Sequence, residues 1–202
     1  MIAIIDYGMG NIHSVAKAIA LYKGEALVTN KADDIRKCQK VVLPGVGAFD
    51  DAMEELHKRK LVDAIRESIK AHKPFLGICL GMQLLFEKSE EAKRQKGLGV
   101  LVGSVRRFPD SVNKVPHIGW NQLKVKLPTC PLLQGVSDSA CVYFCHSYFP
   151  DPVNKSIVAS TSEYGIEFTA LVWQNNVFGV QFHPEKSQEI GLRMVNNFVN
   201  IC

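Results

Sequence analysis

The chain has 202 residues, 47% of them hydrophobic and 22% charged, which is enough apolar material for one well-packed core and too much for a disordered chain. Its net charge of +4 comes from interspersed acids and bases, so no basic stripe of the kind that tracks nucleic acid is present. No apolar run approaches the roughly 20 residues of a membrane helix, and the uncharged start at Met1–Ile5 does not resemble a signal peptide. The six cysteines (38, 79, 130, 141, 145 and 202) form no CxxC pair. They read as reduced thiols of a cytoplasmic protein, one of which is free to be reactive.

The first half alternates short apolar runs with helical spacing. Met1–Asp6, Ala26–Thr29, Lys40–Leu43 and Pro74–Ile78 read as strands, three of them nearly continuously apolar, as parallel strands covered on both faces must be. Between them Ile12, Val15, Ala16, Ile19 and Ala20 keep a helical stripe. Phe49, Ala52, Met53 and Leu56 repeat it, as do Leu61, Ala64, Ile65 and Ile69. In the second half, Ala140–Tyr148 and Ser156–Ser162 read as extended. Ala170–Gln174 faces Val177–Gln181 across Asn175-Asn176, a pair that tolerates the positive φ of a tight hairpin. A last helix turns Leu192, Val195, Phe198 and Val199 inward. The expected fold is a single α/β domain over residues 1–202, a three-layer sandwich with a mixed, largely parallel sheet.

Gly8-Met9-Gly10-Asn11-Ile12-His13 faintly resembles a dinucleotide fingerprint. Its last position is His rather than Gly, and the next strand ends without the acid that would hold a ribose, which excludes NAD. Leu43–Phe49 joins a strand to a helix through Gly45 and Gly47. It is either a tight turn or a source of backbone amides that can approach a ligand.

The strand Pro74–Ile78 runs into Gly77-Ile78-Cys79-Leu80-Gly81, and Leu84 and Leu85 extend a helical pattern beyond it. This is a cysteine version of the nucleophile elbow, in which glycines two residues to either side relieve crowding at a sharp strand-to-helix turn. A thiolate at Cys79 would sit at a helix N-terminus, with the Leu80 amide placed as an oxyanion donor. A structural cysteine between packing glycines is the alternative. In Gln181-Phe182-His183-Pro184-Glu185, proline biases His183 toward extended backbone, where residues two apart share a side. Glu185 can then orient the His183 imidazole, giving the base and acid of a Cys–His–Glu triad. Cys141, Cys145 and His146 do not make a zinc site. Four strand residues hold the cysteines about 13 Å apart, and His146 points to the other face.

Together these segments resemble the class I (triad-type) glutamine amidotransferases, and more narrowly the glutaminase subunits of imidazole glycerol phosphate synthases of histidine biosynthesis. The resemblance spans the chain. It is carried by Ile5–Asn11, Pro44–Phe49, Pro74–Phe86, Pro116-His117-Ile118-Gly119-Trp120-Asn121, Phe144–Tyr148 and His183–Ser187. It implies hydrolysis of glutamine by Cys79, His183 and Glu185, with amides of Leu80, Val46 and Gly47 as the oxyanion hole. It further implies that Gln83, Glu91, Ser147 and Tyr148 hold the substrate, and that Asn11, His117, Trp120 and Lys186 meet or signal to a partner. That partner is a (β/α)8-barrel cyclase receiving ammonia through a protected channel; no metal or cofactor is called for. Cys145 departs from the family pattern, standing where an apolar β-branched residue is expected. A glutaminase of another pathway, a stand-alone γ-glutamyl hydrolase, a cysteine peptidase and a non-catalytic binding subunit remain as alternatives. The intact triad disfavours the last.

Overall fold

Strands buried on both faces need helices above and below them, and the chain supplies these in alternation. The computed structural model describes residues 1–112 and 114–202. Its first half runs β1 (Ile2–Ile5), α1 (Ile12–Ala20), β2 (Ala26–Thr29), α2 (Ala32–Lys37), β3 (Lys40–Gly45), α3 (Phe49–Lys58), α4 (Val62–Lys70) and β4 (Phe75–Cys79). A single helical turn, α5 (Leu80–Gln83), then leads into β5 (Phe86–Ser89) and β6 (Leu101–Arg107). The second half is mostly strand: β7 (His117–Gln122), β8 (Lys124–Val125), β9 (Cys141–His146), β10 (Tyr148–Pro152), β11 (Val158–Glu163), β12 (Glu167–Gln174) and β13 (Val177–Val180). Helix α6 (Gln188–Asn200) closes the chain.

The main sheet has eight strands in the order β2-β1-β3-β4-β13-β12-β11-β8. Pairing is parallel from β2 through to β13 and antiparallel from β13 to β8. Alternation along each strand feeds two cores. Ile2, Ile4, Val42, Leu76, Ile78, Phe178 and Val180 face the side covered by α1 and α6. Ala3, Ile5, Val41, Leu43, Phe75 and Val177 face α2, α3 and α4. The result is the expected α/β sandwich with a mixed, largely parallel sheet. The hairpin closes where expected, with Gln174 opposite Val177 and Asn175 at φ 55°.

Four local expectations are corrected. The helix after Cys79 ends at Gln83, because the carbonyls of Leu84 and Leu85 accept from Leu98, Val100 and Leu101 instead of from a further helical turn. Ala140–Tyr148 is not one strand of the main sheet. It splits at Ser147 into β9, which pairs with β7 in a two-stranded sheet, and β10, which joins β6 and β5 in another. Ser156 and Ile157 lie in a 3-10 turn, and the strand begins at Val158. In α6, Leu192 and Val199 are only half-buried, while Met194, Val195 and Phe198 form the inward face.

Candidate active site

The parallel strands deliver their C-terminal ends to one edge, where ligand sites of open α/β sheets collect. Gly45 ends β3 beside Cys79 at the end of β4, and β13 runs alongside β4 to carry the chain on to His183. Cys79 has φ 54° and ψ −111°, a strained conformation for a residue with a Cβ, and strain of this kind concentrates at functional turns. The glycines on either side are forced by sterics. A methyl on Gly81 would lie 1.8 Å from the carbonyl oxygen of Leu43, and one on Gly77 2.7 Å from that of Gly81. The elbow is therefore pressed against β3, which carries the Pro44–Gly47 loop.

His183 follows β13 in extended conformation, but Pro184–Lys186 form a 3-10 turn. The turn, rather than strand alternation, brings Glu185 under the ring, with Nδ1 of His183 2.9 Å from Oε1 of Glu185. Both side chains are buried, at 4% and 2% exposure, so the ion pair is shielded from water and salt. Burial works against a charge on His183. The hydrogen bonds to Cys79 and Glu185, and the charges of both, outweigh it and raise the imidazole to about 10. With Nδ1 committed to the carboxylate, Nε2 is the nitrogen left for the thiol. The backbone here is pinned as well: His183 N–H donates to Tyr143 O at 2.9 Å. The buried Ser187 hydroxyl donates to His183 O at 2.6 Å and accepts from Tyr143 N–H at 2.9 Å.

A cleft of about 280 Å³ opens over Cys79, lined among others by Val46, Gly47, Leu80, Gln83, Glu91, Ser147, Tyr148, His183 and Lys186. It thus gathers most of the positions singled out from the sequence, and its size is at the small end for ligand sites. Val46, 41% exposed, and Gly47, at φ 100°, both line the cleft beside Cys79. Glu91 accepts from the Phe49 amide at 2.9 Å, capping α3, and burial raises its carboxyl above the usual range. Lys186 lies 5.9 Å from the centre of the Tyr143 ring. A second cleft, about 360 Å³, lies between β10 and β12, where Lys126 and Lys155 are already paired with Glu167 and Asp151.

The remaining positions lie outside the cleft. Trp120 is 48% exposed on β7, and Asn11 precedes α1 without a side-chain cap bond. His117, grouped with them by resemblance, is only 3% exposed, and its ring bonds His146 rather than facing a surface. One residue beside Cys79 escaped sequence reading. Gln181 is fully buried and its amide donates to Cys79 Sγ at 3.7 Å. A lone amide in an apolar strand, two residues before His183, was the available signal.

Residues 3–202 match the family model described as glutamine amidotransferase class-I. The chain belongs to the class-I glutamine amidotransferases. Within that family it is similar to the imidazole glycerol phosphate synthase subunit HisH of Bacillus cytotoxicus, at 52% identity covering 100% of this chain and 95% of that one. It is also similar to the subunit of the same name from Methanocaldococcus jannaschii, at 47% identity and 100% coverage of both. Among solved structures, a glutamine amidotransferase aligns with a TM-score of 0.74 at 19% identity, covering 94% of each chain. PurLQS of Thermotoga maritima aligns at 0.77 and 19%, covering 98% and 97%. These two likenesses speak for the amidotransferase fold. A thiol beside an imidazole, with the imidazole on a buried carboxylate, is an arrangement that amide hydrolysis through a covalent intermediate can use.

Proposed function

We propose that this chain is the glutaminase subunit of an imidazole glycerol phosphate synthase in histidine biosynthesis. It hydrolyses glutamine to glutamate and passes the ammonia to a cyclase subunit. The cyclase forms imidazole glycerol phosphate and an aminoimidazole carboxamide ribonucleotide. The observation that carries the chemistry is the buried Glu185–His183–Cys79 alignment at the strained elbow. The pathway rests on relatives named for this subunit at about half identity over their full length.

In this reading Cys79 attacks the side-chain carboxamide carbon of glutamine. The oxyanion is held by the amide of Leu80 and those of the loop at Val46 and Gly47. His183 gives its proton to the departing nitrogen, releasing ammonia and leaving a thioester on Cys79. His183, now neutral, takes a proton from water as that water attacks the thioester, and glutamate departs with the thiol restored. Glu185 keeps the proton on Nδ1 and stabilises the imidazolium throughout. Gln83, Glu91, Ser147 and Tyr148 hold the amino-acid end of the substrate, which needs both acceptors and donors. Trp120, Lys186 and Asn11 face the partner, a (β/α)8 barrel in a cytoplasmic heterodimer. Ammonia is mostly protonated in neutral water and then no longer nucleophilic, so direct transfer has a chemical purpose.

The test is glutamate release by the chain alone and with the cyclase loaded with its nucleotide substrate, beside a Cys79→Ala chain. Turnover that rises sharply with the loaded partner and vanishes without Cys79 is expected. Free turnover indifferent to the partner would overturn the synthase assignment, and a stand-alone γ-glutamyl hydrolase would replace it.

A further inference from the structure

Beyond the triad, a run of hydrogen bonds reaches from Cys79 to the β7–β9 ribbon, and the Tyr148 carbonyl at its middle, which accepts from Gln83 and from His146, fixes the direction of the bonds on both sides. The Gln181 amide faces Cys79 Sγ with its nitrogen, at 3.7 Å. Turned over, it would aim oxygen lone pairs at the sulfur. What prevents this is Gln83, whose Nε2 donates to Gln181 Oε1 at 2.9 Å and to the backbone carbonyl of Tyr148 at 2.9 Å, using both its hydrogens.

The same Tyr148 carbonyl lies 2.8 Å from Nδ1 of His146. A carbonyl can only accept, so His146 carries its proton on Nδ1 and its Nε2 is an acceptor. That Nε2 lies 3.1 Å from Nδ1 of His117, which must therefore donate. The Nε2 of His117 is then left to accept from the Asn121 amide at 3.4 Å, and that amide also donates to Glu163 O at 2.8 Å. The His117 ring is held flat between Phe144 and Tyr164, stacked at 5.0 and 4.1 Å. Burial pushes His117 down to about 4 and His146 to about 3, so both rings stay neutral at working pH and protonation does not scramble the order.

The geometry points to Gln181, Gln83, His146 and His117 as a positioning chain that keeps an N–H donor on the sulfur of Cys79, so that the reactivity of the nucleophile depends on side chains of the ribbon. The inference rests on Cys79 being the nucleophile. Its test reads the thiol directly, so it can fail without the glutaminase reading failing.

The full chain is treated with iodoacetamide at pH 7, and the rate at Cys79 is followed by peptide mass spectrometry, with the exposed Cys141 and Cys145 as internal controls. Gln181→Met keeps the side chain's length and removes the donor. His117→Phe keeps the stacked ring and removes the bond that holds the His146 ring against the Tyr148 carbonyl. Both variants are expected to alkylate Cys79 about three- to tenfold more slowly, the scale of one charge-assisted hydrogen bond to a weak acceptor, with the control cysteines unchanged. Loss in Gln181→Met with a wild-type rate in His117→Phe overturns the chain and leaves a local contact. Nitrogen NMR of the unaltered protein gives a readout that no variant's folding can spoil. Both buried imidazoles should be Nδ1–H tautomers, and either one found as Nε2–H sinks the inference.

Discussion

Replacing Gly81 by alanine asks how tightly the elbow is pressed against its neighbour. The added methyl would sit 1.8 Å from the carbonyl oxygen of Leu43 and 2.9 Å from its carbon. Ordinary carbon–oxygen contact needs about 3.3 Å, so β3 and the turn must part by roughly 1.5 Å. Neither side gives easily: Leu43 lies in the middle of a strand paired to β4, and Leu80 and Met82 flank Gly81 in the core. Overpacking of this kind typically costs 1–3 kcal/mol, and rigid walls on both sides place Gly81→Ala near about 3. For a domain of this size that lowers the melting temperature by roughly 6–12 °C. The same displacement moves the Leu80 amide and the thiol, and a misplacement of about 1 Å can cost on the order of a hundredfold in rate. Calorimetry and glutamate release with the loaded cyclase measure the two effects. Gly99→Ala, with no atom within 4 Å of the new methyl, serves as a comparison that tests only its backbone strain at φ 64°. A Gly81→Ala chain melting within about 2 °C of wild type and turning over within threefold of it would refute the reasoning.

Glu185→Gln removes the charge beneath His183, so the imidazole pKa should fall and turnover drop by at least about a hundredfold with KM little changed; a loss below fivefold counts against the orienting role. The buried neutral histidines give an acid-side signature. Their folded pKa values, about 4 for His117 and about 3 for His146, lie below the 6.5 of a free histidine. As pH falls from 6.5 toward 4 the unfolded chain binds protons that the folded chain refuses, and stability declines by up to about 1.4 kcal/mol per pH unit for each ring. Urea unfolding of His117→Phe should show a shallower slope over that window, and an unchanged slope would contradict the assignment. Lys40→Met unhooks the end of α6, because Nζ donates to the carbonyls of Phe198, Val199 and Cys202 at 2.9, 2.8 and 2.7 Å. A loss of about 2 kcal/mol is expected, seen as a melting point lower by roughly 4–8 °C, and an unshifted melt would show that water replaces Lys40 at no cost.

The parallel half was legible because strands covered on both faces are apolar throughout and their helices keep clean stripes. Helix α2 left no such trace: Ile35 is its only buried residue among charged neighbours. The strands β5 and β6 escaped because they pair in parallel with each other and β6 pairs with the much later β10, and nothing local marks such pairing. At the site, residue types and order singled out Cys79, His183 and Glu185, which the fold brings together. The mechanism that joins His183 to Glu185 was misread, since the 3-10 turn that proline starts does what alternation was expected to do. Gln181 and Ser187 were passed over for a shared reason. One touches the sulfur and the other ties β9 to the His183 turn only through contacts made after folding.

The strands that build the site, β3, β4 and β13, are neighbours in the sheet but lie far apart along the chain. During synthesis the thiol of Cys79 emerges more than a hundred residues before the imidazole of His183. Until β13 slides in beside β4, a growing polypeptide holds the Cys79 thiol without the His183 imidazole and Glu185 carboxylate that the proposed reaction needs. On the proposed mechanism, glutamine hydrolysis therefore has to wait until β13, the last strand of the sheet, is in place.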